Sequence, residues 1–102
     1  MTQFDTFPNP LTQWRREFPL VVCLQSPSMS GNSTQIIAPL TPRRLIDASR
    51  LTPLIVLDDH EYVALVPRLT SVPAQVLKSR VANLSRHRDA LLAAVDLVFY
   101  GV

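Results

Sequence analysis

Cysteine, glycine and charge are all scarce in this sequence, and each shortage excludes a class of chemistry. A single cysteine, Cys23, rules out an intrachain disulfide and any multi-cysteine zinc cluster. Glycine occurs only at Gly31 and Gly101, so no glycine-rich phosphate loop can be assembled. Serines are numerous, yet none sits in a nucleophile elbow. Charged residues make up 18% of the chain, below the ordinary share of about 25%, while hydrophobic residues make up 47%. Such a chain folds rather than staying disordered, and it leaves room for a partner surface. No apolar run reaches the roughly 18 residues of a membrane-spanning helix, and the first residues lack the basic start and apolar stretch of a signal peptide. The default expectation is a soluble cytoplasmic protein.

At 102 residues and 11.4 kDa, a single domain over residues 1–102 is expected, because a second independent core has no room. Surface scaling lets roughly 65% of the unfolded chain's surface be buried, a real but modest core. The formal charge is +2, and nine of the ten bases are arginine. An isoelectric point near 9.2 permits an acidic partner, but so small a surplus does not demand nucleic acid.

Hydrophobic patterning makes the first two-thirds mainly antiparallel β. Leu20 to Gln25 is a short valine-rich run that suits a central strand, with an earlier strand at Gln3 to Phe7. Pro8-Asn9-Pro10 and the pair Arg15-Arg16 mark a loop or irregular connection between them, and Pro27 to Ser33 reads as a turn region. Gln35 to Leu40 supplies another strand, stopped by Pro42; Pro39 suits a bulge or an edge better than a fully paired centre. Leu54 to Leu57 and Glu61 to Pro67 flank Asp58-Asp59-His60, a hairpin pattern. A short helical segment is expected within Arg43 to Arg50. In the final third, Ser71-Val72-Pro73 reads as a helix start, because proline is tolerated in a first turn. A stronger helix follows from Ser85, the candidate cap, to about Val98 or Phe99. At 100° per residue, Leu84, Leu91, Leu92, Val95, Val98 and Phe99 form one stripe that should pack on the sheet, and Ala90, Ala93 and Leu97 fall on the other face. Gly101 can end the helix in a left-handed conformation.

Few residues carry chemistry. His60 adjoins Asp58, Asp59 and Glu61, but acids in a hairpin turn face water and no second histidine or cysteine completes a metal-ligand spacing. His87 projects beside the apolar stripe and fits a packing role with one hydrogen bond better than that of a catalytic base. Cys23, inside an apolar run, reads as a buried thiol. Arg15-Arg16, Arg43-Arg44 and the group Lys78, Arg80, Arg86, Arg88 are interrupted by Glu17, Asp47 and Asp89, with no aromatic platform interleaved. Solvated surface, and after it an acidic protein partner, fit better than direct nucleic-acid binding. Val98-Phe99-Tyr100-Gly101-Val102 is unusual because sequence ends are mostly polar or frayed. Either Phe99 anchors the helix and Tyr100 covers the core, or Tyr100 fills an apolar partner site with Val102 adding contact.

Ser71-Val72-Pro73, then Val81-Ala82-Asn83-Leu84-Ser85, then Ala94 through Val102 occur in an order that resembles the CcdB family of bacterial toxins. Val22 through Ser26 and Ile37-Ala38-Pro39-Leu40 also fit that family's internal strands, and the likeness is weakest before Leu20. The resemblance implies a mainly β fold, an SH3-like, barrel-related antiparallel sheet with a C-terminal α-helix, assembled as a homodimer. It implies noncatalytic poisoning: the dimer binds the A subunit of DNA gyrase and traps the enzyme with its DNA cleaved, with no cofactor and no metal. In the family an aromatic-glycine-aliphatic terminus makes that contact, which maps onto Tyr100, Gly101 and Val102. The family's aromatic is tryptophan, so Tyr100 brings a hydroxyl that needs a polar partner. A cognate antitoxin is also implied, whose disordered C-terminal segment wraps the toxin. The alternatives are a ribonuclease of the same fold and a nontoxic homologue that keeps only antitoxin binding, since a shared fold does not transfer activity.

Overall fold

A computed structural model of the chain describes residues 1–26 and 34–101, so the turn expected at Pro27 to Ser33 lies outside the described residues. The elements are β1 (Asp5–Pro8), β2 (Leu20–Cys23), β3 (Thr34–Pro42), β4 (Leu54–Leu57), β5 (His60–Ala64), β6 (Thr70–Pro73), β7 (Ala82–Asn83) and α1 (Arg88–Tyr100), with single 3-10 turns between several of them. All pairings are antiparallel, in the order β4-β5-β3-β2-β1-β7, with β6 also on β3. The result is the expected mainly β architecture, a seven-stranded sheet nearly closed into a barrel and packed by one C-terminal helix.

Alternation along β3 explains why the strands read as continuous apolar runs. Ala38 and Leu40 face the main core with Val22, Ile55, Leu57 and Ala64, while Ile37 faces a second cluster of Phe7, Val21, Cys23 and Leu77 on the opposite side. A sheet buried on both faces has no use for an apolar-polar alternation. Leu84, Leu91 and Ala94 seal the main core from the helix side, with Leu92, Val95 and Val98 partly buried against it. Cys23 is buried, and burial, reinforced by the Asp5 carboxylate, pushes its thiol up to about 11, so it behaves as the expected inert core group.

Several local expectations are corrected. Pro39 lies in the middle of the sheet, paired with Val21. Its carbonyl accepts the Leu65 N–H at 2.8 Å, so its backbone points away from β2, toward the side where β3 exchanges β6 (Thr34 to Ile37) for β5 (Leu40 to Pro42). No ladder bond is required of its missing N–H at that junction. Ser71-Val72-Pro73 is strand β6, held by pairing with Thr34 to Ile36, and Pro73 precedes only one 3-10 turn, Ala74–Val76. Arg43 to Arg50 contains no helix; it turns once at Pro42–Leu45 and then enters a tight loop. Ser85 does not cap α1. It opens a 3-10 turn, Ser85–His87, with its N–H on Asn83 Oδ1 at 2.9 Å, and the helix begins at Arg88. The Asp58-Asp59 hairpin stands as expected: both residues have positive φ, 51° and 65°, joining the Leu57–His60 pair by the two-residue turn that suits strand twist.

Two polar clasps finish the sheet. At the β4 edge, the Val56 N–H donates to His87 Nε2 at 3.3 Å and Arg86 Nη2 donates to the Val56 carbonyl at 3.2 Å, which links the segment leaving β7 to the far end of the strand order. At the β1–β7 end, the Asp5 carboxylate, 2% exposed, accepts from the Thr2 N–H (2.8 Å), Asn83 Nδ2 (2.9 Å), the Thr2 hydroxyl (3.2 Å) and Arg80 Nη1 (3.3 Å). Burial alone would raise the Asp5 pKa, but the bonds from Asn83, Thr2 and Arg80 outweigh it and hold the carboxyl below its ordinary value. A carboxylate lowered on folding stabilises the protein fully above its unfolded pKa of about 4, and that contribution fades as pH falls through the lower folded value. Urea denaturation across pH should therefore show Asp5→Asn less stable than the parent at neutral pH, with the gap closing below about pH 4. A gap that stays constant from neutral to pH 3 would contradict the clasp.

Candidate functional site

Val98 to Gly101 lie at the end of α1, and their chemistry follows from how that helix stops. Gly101 adopts the left-handed conformation, φ 72° and ψ 17°, and its N–H donates to the Leu97 carbonyl at 3.0 Å. The last turn thus closes on its own backbone. Phe99 is 62% exposed and Tyr100 76% exposed. The reading in which Phe99 anchors the helix and Tyr100 covers the core is corrected: the sheet supports the stripe through Val98 and not beyond. Tyr100 and Gly101 are therefore presented together on the surface, while Val102 lies outside the described residues. Two adjacent exposed aromatics on a closed helical turn are a costly arrangement for a chain with no partner, and recognition by another protein is what they can do chemically.

Beside this end lies a shallow cleft lined by Ser49, Arg50, Leu51, Leu97 and Gly101. It continues into a groove between α1 and the segment before β4, where Ala90, Ala93 and Leu97 face Ala48, Pro53 and Leu54. The second helix face expected from the sequence is thus a groove wall. A separate apolar cleft of about 250 Å³ opens over the second cluster, between the Thr12–Trp14 turn and β6. Leu11, Trp14, Phe18, Val21 and Ile37 line it, and Arg68 closes one side with its guanidinium 5.6 Å from the Phe18 ring centroid. Its size fits one or two side chains rather than a large ligand. This cleft was not foreseen, because its walls come from four separate stretches of chain; an exposed tryptophan in a proline-flanked loop was the only signal.

The other candidates separate cleanly. His60 is exposed at the start of β5, as expected for a solvated turn, and His87 is engaged by the Val56 peptide. Arg43 pairs with Glu61 at 3.5 Å, both half exposed, and Arg80 with Asp5. Among the described residues, no group of three or more histidines, cysteines or acids could hold a metal ion, and no helix is long and apolar enough to cross a membrane.

The family model described as CcdB protein matches residues 3–101, and the chain belongs to the CcdB family. That family is one of toxins of toxin–antitoxin pairs that poison DNA gyrase.

The cap itself is testable. Nothing lies within 4 Å of a Cβ built on Gly101, so Gly101→Ala meets no clash and bears only the backbone cost of a left-handed alanine, about 1 kcal/mol. Faster hydrogen exchange at the residue 101 amide is expected, with little change in the thermal midpoint because the strain is relieved by fraying of the last turn. Unchanged exchange at that amide would mean that the glycine does not hold the terminus.

Proposed function

We propose that this protein is the toxin of a type II toxin–antitoxin pair: a cytoplasmic homodimer that binds the A subunit of DNA gyrase through Tyr100, Gly101 and Val102 and traps the enzyme with its DNA cleaved. The observation that carries the reading is the exposure of Phe99 and Tyr100 on a helix end fixed by Gly101, in a chain of this family. The poisoning needs no catalytic group. An apolar anchor held rigidly loses little entropy on binding, and most of an interface's energy resides in a few such buried aromatics. Tyr100 in place of tryptophan keeps the flat ring and adds a hydroxyl, which favours a target pocket offering one polar partner at its base.

The antitoxin occupies different ground in this reading. Its disordered segment would set an aliphatic or aromatic side chain into the cleft over Trp14 and Phe18, and its acidic residues would meet Arg68 on that rim and Arg15 in a second cleft that shares Pro10. Segments that fold on binding cover such extended tracks at modest affinity per unit area. A ribonuclease role is less well supported, because His87 is committed to the sheet edge and His60 stands exposed at a turn.

The deciding experiment is a gyrase DNA-cleavage assay with the intact chain and a chain lacking Tyr100 to Val102, both first verified as folded and of equal oligomeric state. Cleaved DNA should accumulate with the intact protein only, and Tyr100→Ala should weaken the effect by about tenfold or more. Equal accumulation with the shortened chain would remove the terminus from the mechanism, and none with either would remove gyrase poisoning.

A further inference from the structure

The segment between β3 and β4 ends in a small, heavily bonded turn. The Ser49 N–H donates to the Thr52 carbonyl at 2.9 Å and the Thr52 N–H returns the bond to the Ser49 carbonyl at 3.2 Å. The two hydroxyls lie 2.7 Å apart, and Thr52 Oγ1 also donates to the Asp47 carbonyl at 3.3 Å. Arg50 and Leu51 are the two residues at the tip of this closed loop, and both are exposed, Leu51 at 40%. The ion pairs among the described residues join Arg43 to Glu61 and Arg80 to Asp5, and neither includes Arg50. Arg50, Leu51, Leu97 and Gly101 line one cleft, so this tip and the end of α1 stand side by side.

A loop needs no such bonding merely to connect two strands; solvated connections of this length are ordinarily looser and more polar. What the bonding does is fix the backbone that carries one cation and one aliphatic residue beside Leu97 and Gly101, the residues that flank the exposed turn of Phe99 and Tyr100. The α1 C-terminus carries partial negative charge and its last turn holds no base, and Arg50 lines the cleft beside it. The cleft between the two elements is thus lined by Leu51 and Leu97 with Arg50 beside them, and it adjoins the helix end that exposes Phe99 and Tyr100.

We propose that the Arg50–Leu51 turn is a second contact element of the target-binding surface, engaging a carboxylate beside the apolar pocket that receives Tyr100. The inference rests on the reading that the α1 terminus docks onto the gyrase A subunit, and it adds a specificity determinant that lies outside the terminal motif. A rim cation acts mainly on association rate and partner choice, and its effect weakens with salt.

The test measures binding of purified gyrase A subunit to five chains: the intact protein, Arg50→Glu, Arg50→Lys, Leu51→Ser, and the chain lacking Tyr100 to Val102. Thermal midpoints and oligomeric mass come first; both positions are exposed, so these substitutions should leave stability nearly unchanged, and Arg50→Gln replaces Arg50→Glu if the latter does not fold. Arg50→Glu should lower affinity by about tenfold at low ionic strength, chiefly through slower association, with the loss shrinking as salt rises. Arg50→Lys should restore most of it, and Leu51→Ser should lower affinity several-fold independently of salt. Binding within twofold of the parent by both Arg50→Glu and Leu51→Ser, while the shortened chain fails to bind, would overturn this inference and leave the terminal reading standing. Full binding by the shortened chain would overturn the terminal reading, and a loss with Arg50→Glu would then assign the contact to the turn itself. No binding by the intact chain would overturn both.

Discussion

Val56 leaves its peptide group on the outer edge of β4, where an unpaired strand would otherwise invite another chain. His87 and Arg86 take up that peptide, and they can do so only because the segment leaving β7 crosses to the opposite end of the strand order. This one contact joins the two ends of a sheet that hydrogen bonding between strands does not close. It also fixes the point at which α1 begins, one residue after His87. With its start fixed there, Leu91 and Ala94 fall onto the main core, and the helix reaches its last turn where the sheet no longer lies beneath it. The placement of Phe99 and Tyr100 on the surface is thus a consequence of barrel closure thirteen residues earlier rather than of anything at the terminus itself.

Much of this was legible in the sequence where a local rule decided the outcome. The two-residue spacing around Asp58-Asp59, the valine-rich run at β2, and Gly101 as a left-handed stop all depend on neighbours in the chain. Pro73 shows where such rules fail. Its φ of −60° suits the end of a strand and the start of a helix equally, and ψ, 133° here, is set by pairing with Thr34. The Asp5 clasp was invisible for a related reason: Asn83 and Arg80 lie 78 and 75 residues away, and nothing near Asp5 marks it as buried. At the candidate site, the sequence identified Tyr100 and Gly101 by pattern but could not decide their exposure, since periodicity assigns Phe99 to the same stripe as Leu92 and has no knowledge of where the supporting surface ends.

The residues that build the core and those proposed for recognition are separate sets. The core is assembled from Val22, Ala38, Leu40, Ile55 and Leu91, none of which reaches the surface. The groups proposed for recognition, Tyr100, Arg50 and Leu51, sit outside it on turns closed by the Ser49–Thr52 and Gly101–Leu97 backbone bonds. Substitutions there cost little folding energy, so these positions can change partner preference without endangering the fold.

That separation bears on the tyrosine at position 100. In a core, replacing tryptophan by the smaller tyrosine would leave a void whose lining loses its contacts outright. On an exposed helix end the free protein is indifferent to the exchange, and its energetic consequence appears only in the bound state, where the hydroxyl must find a polar partner or lose affinity. If Arg50 meets a carboxylate of the target as proposed, it shifts that balance, because charge orients the encounter before the aromatic is buried. The anchor can then contribute less of the total without the interface losing its specificity, and a terminus that departs from the family's aromatic remains compatible with binding the same target.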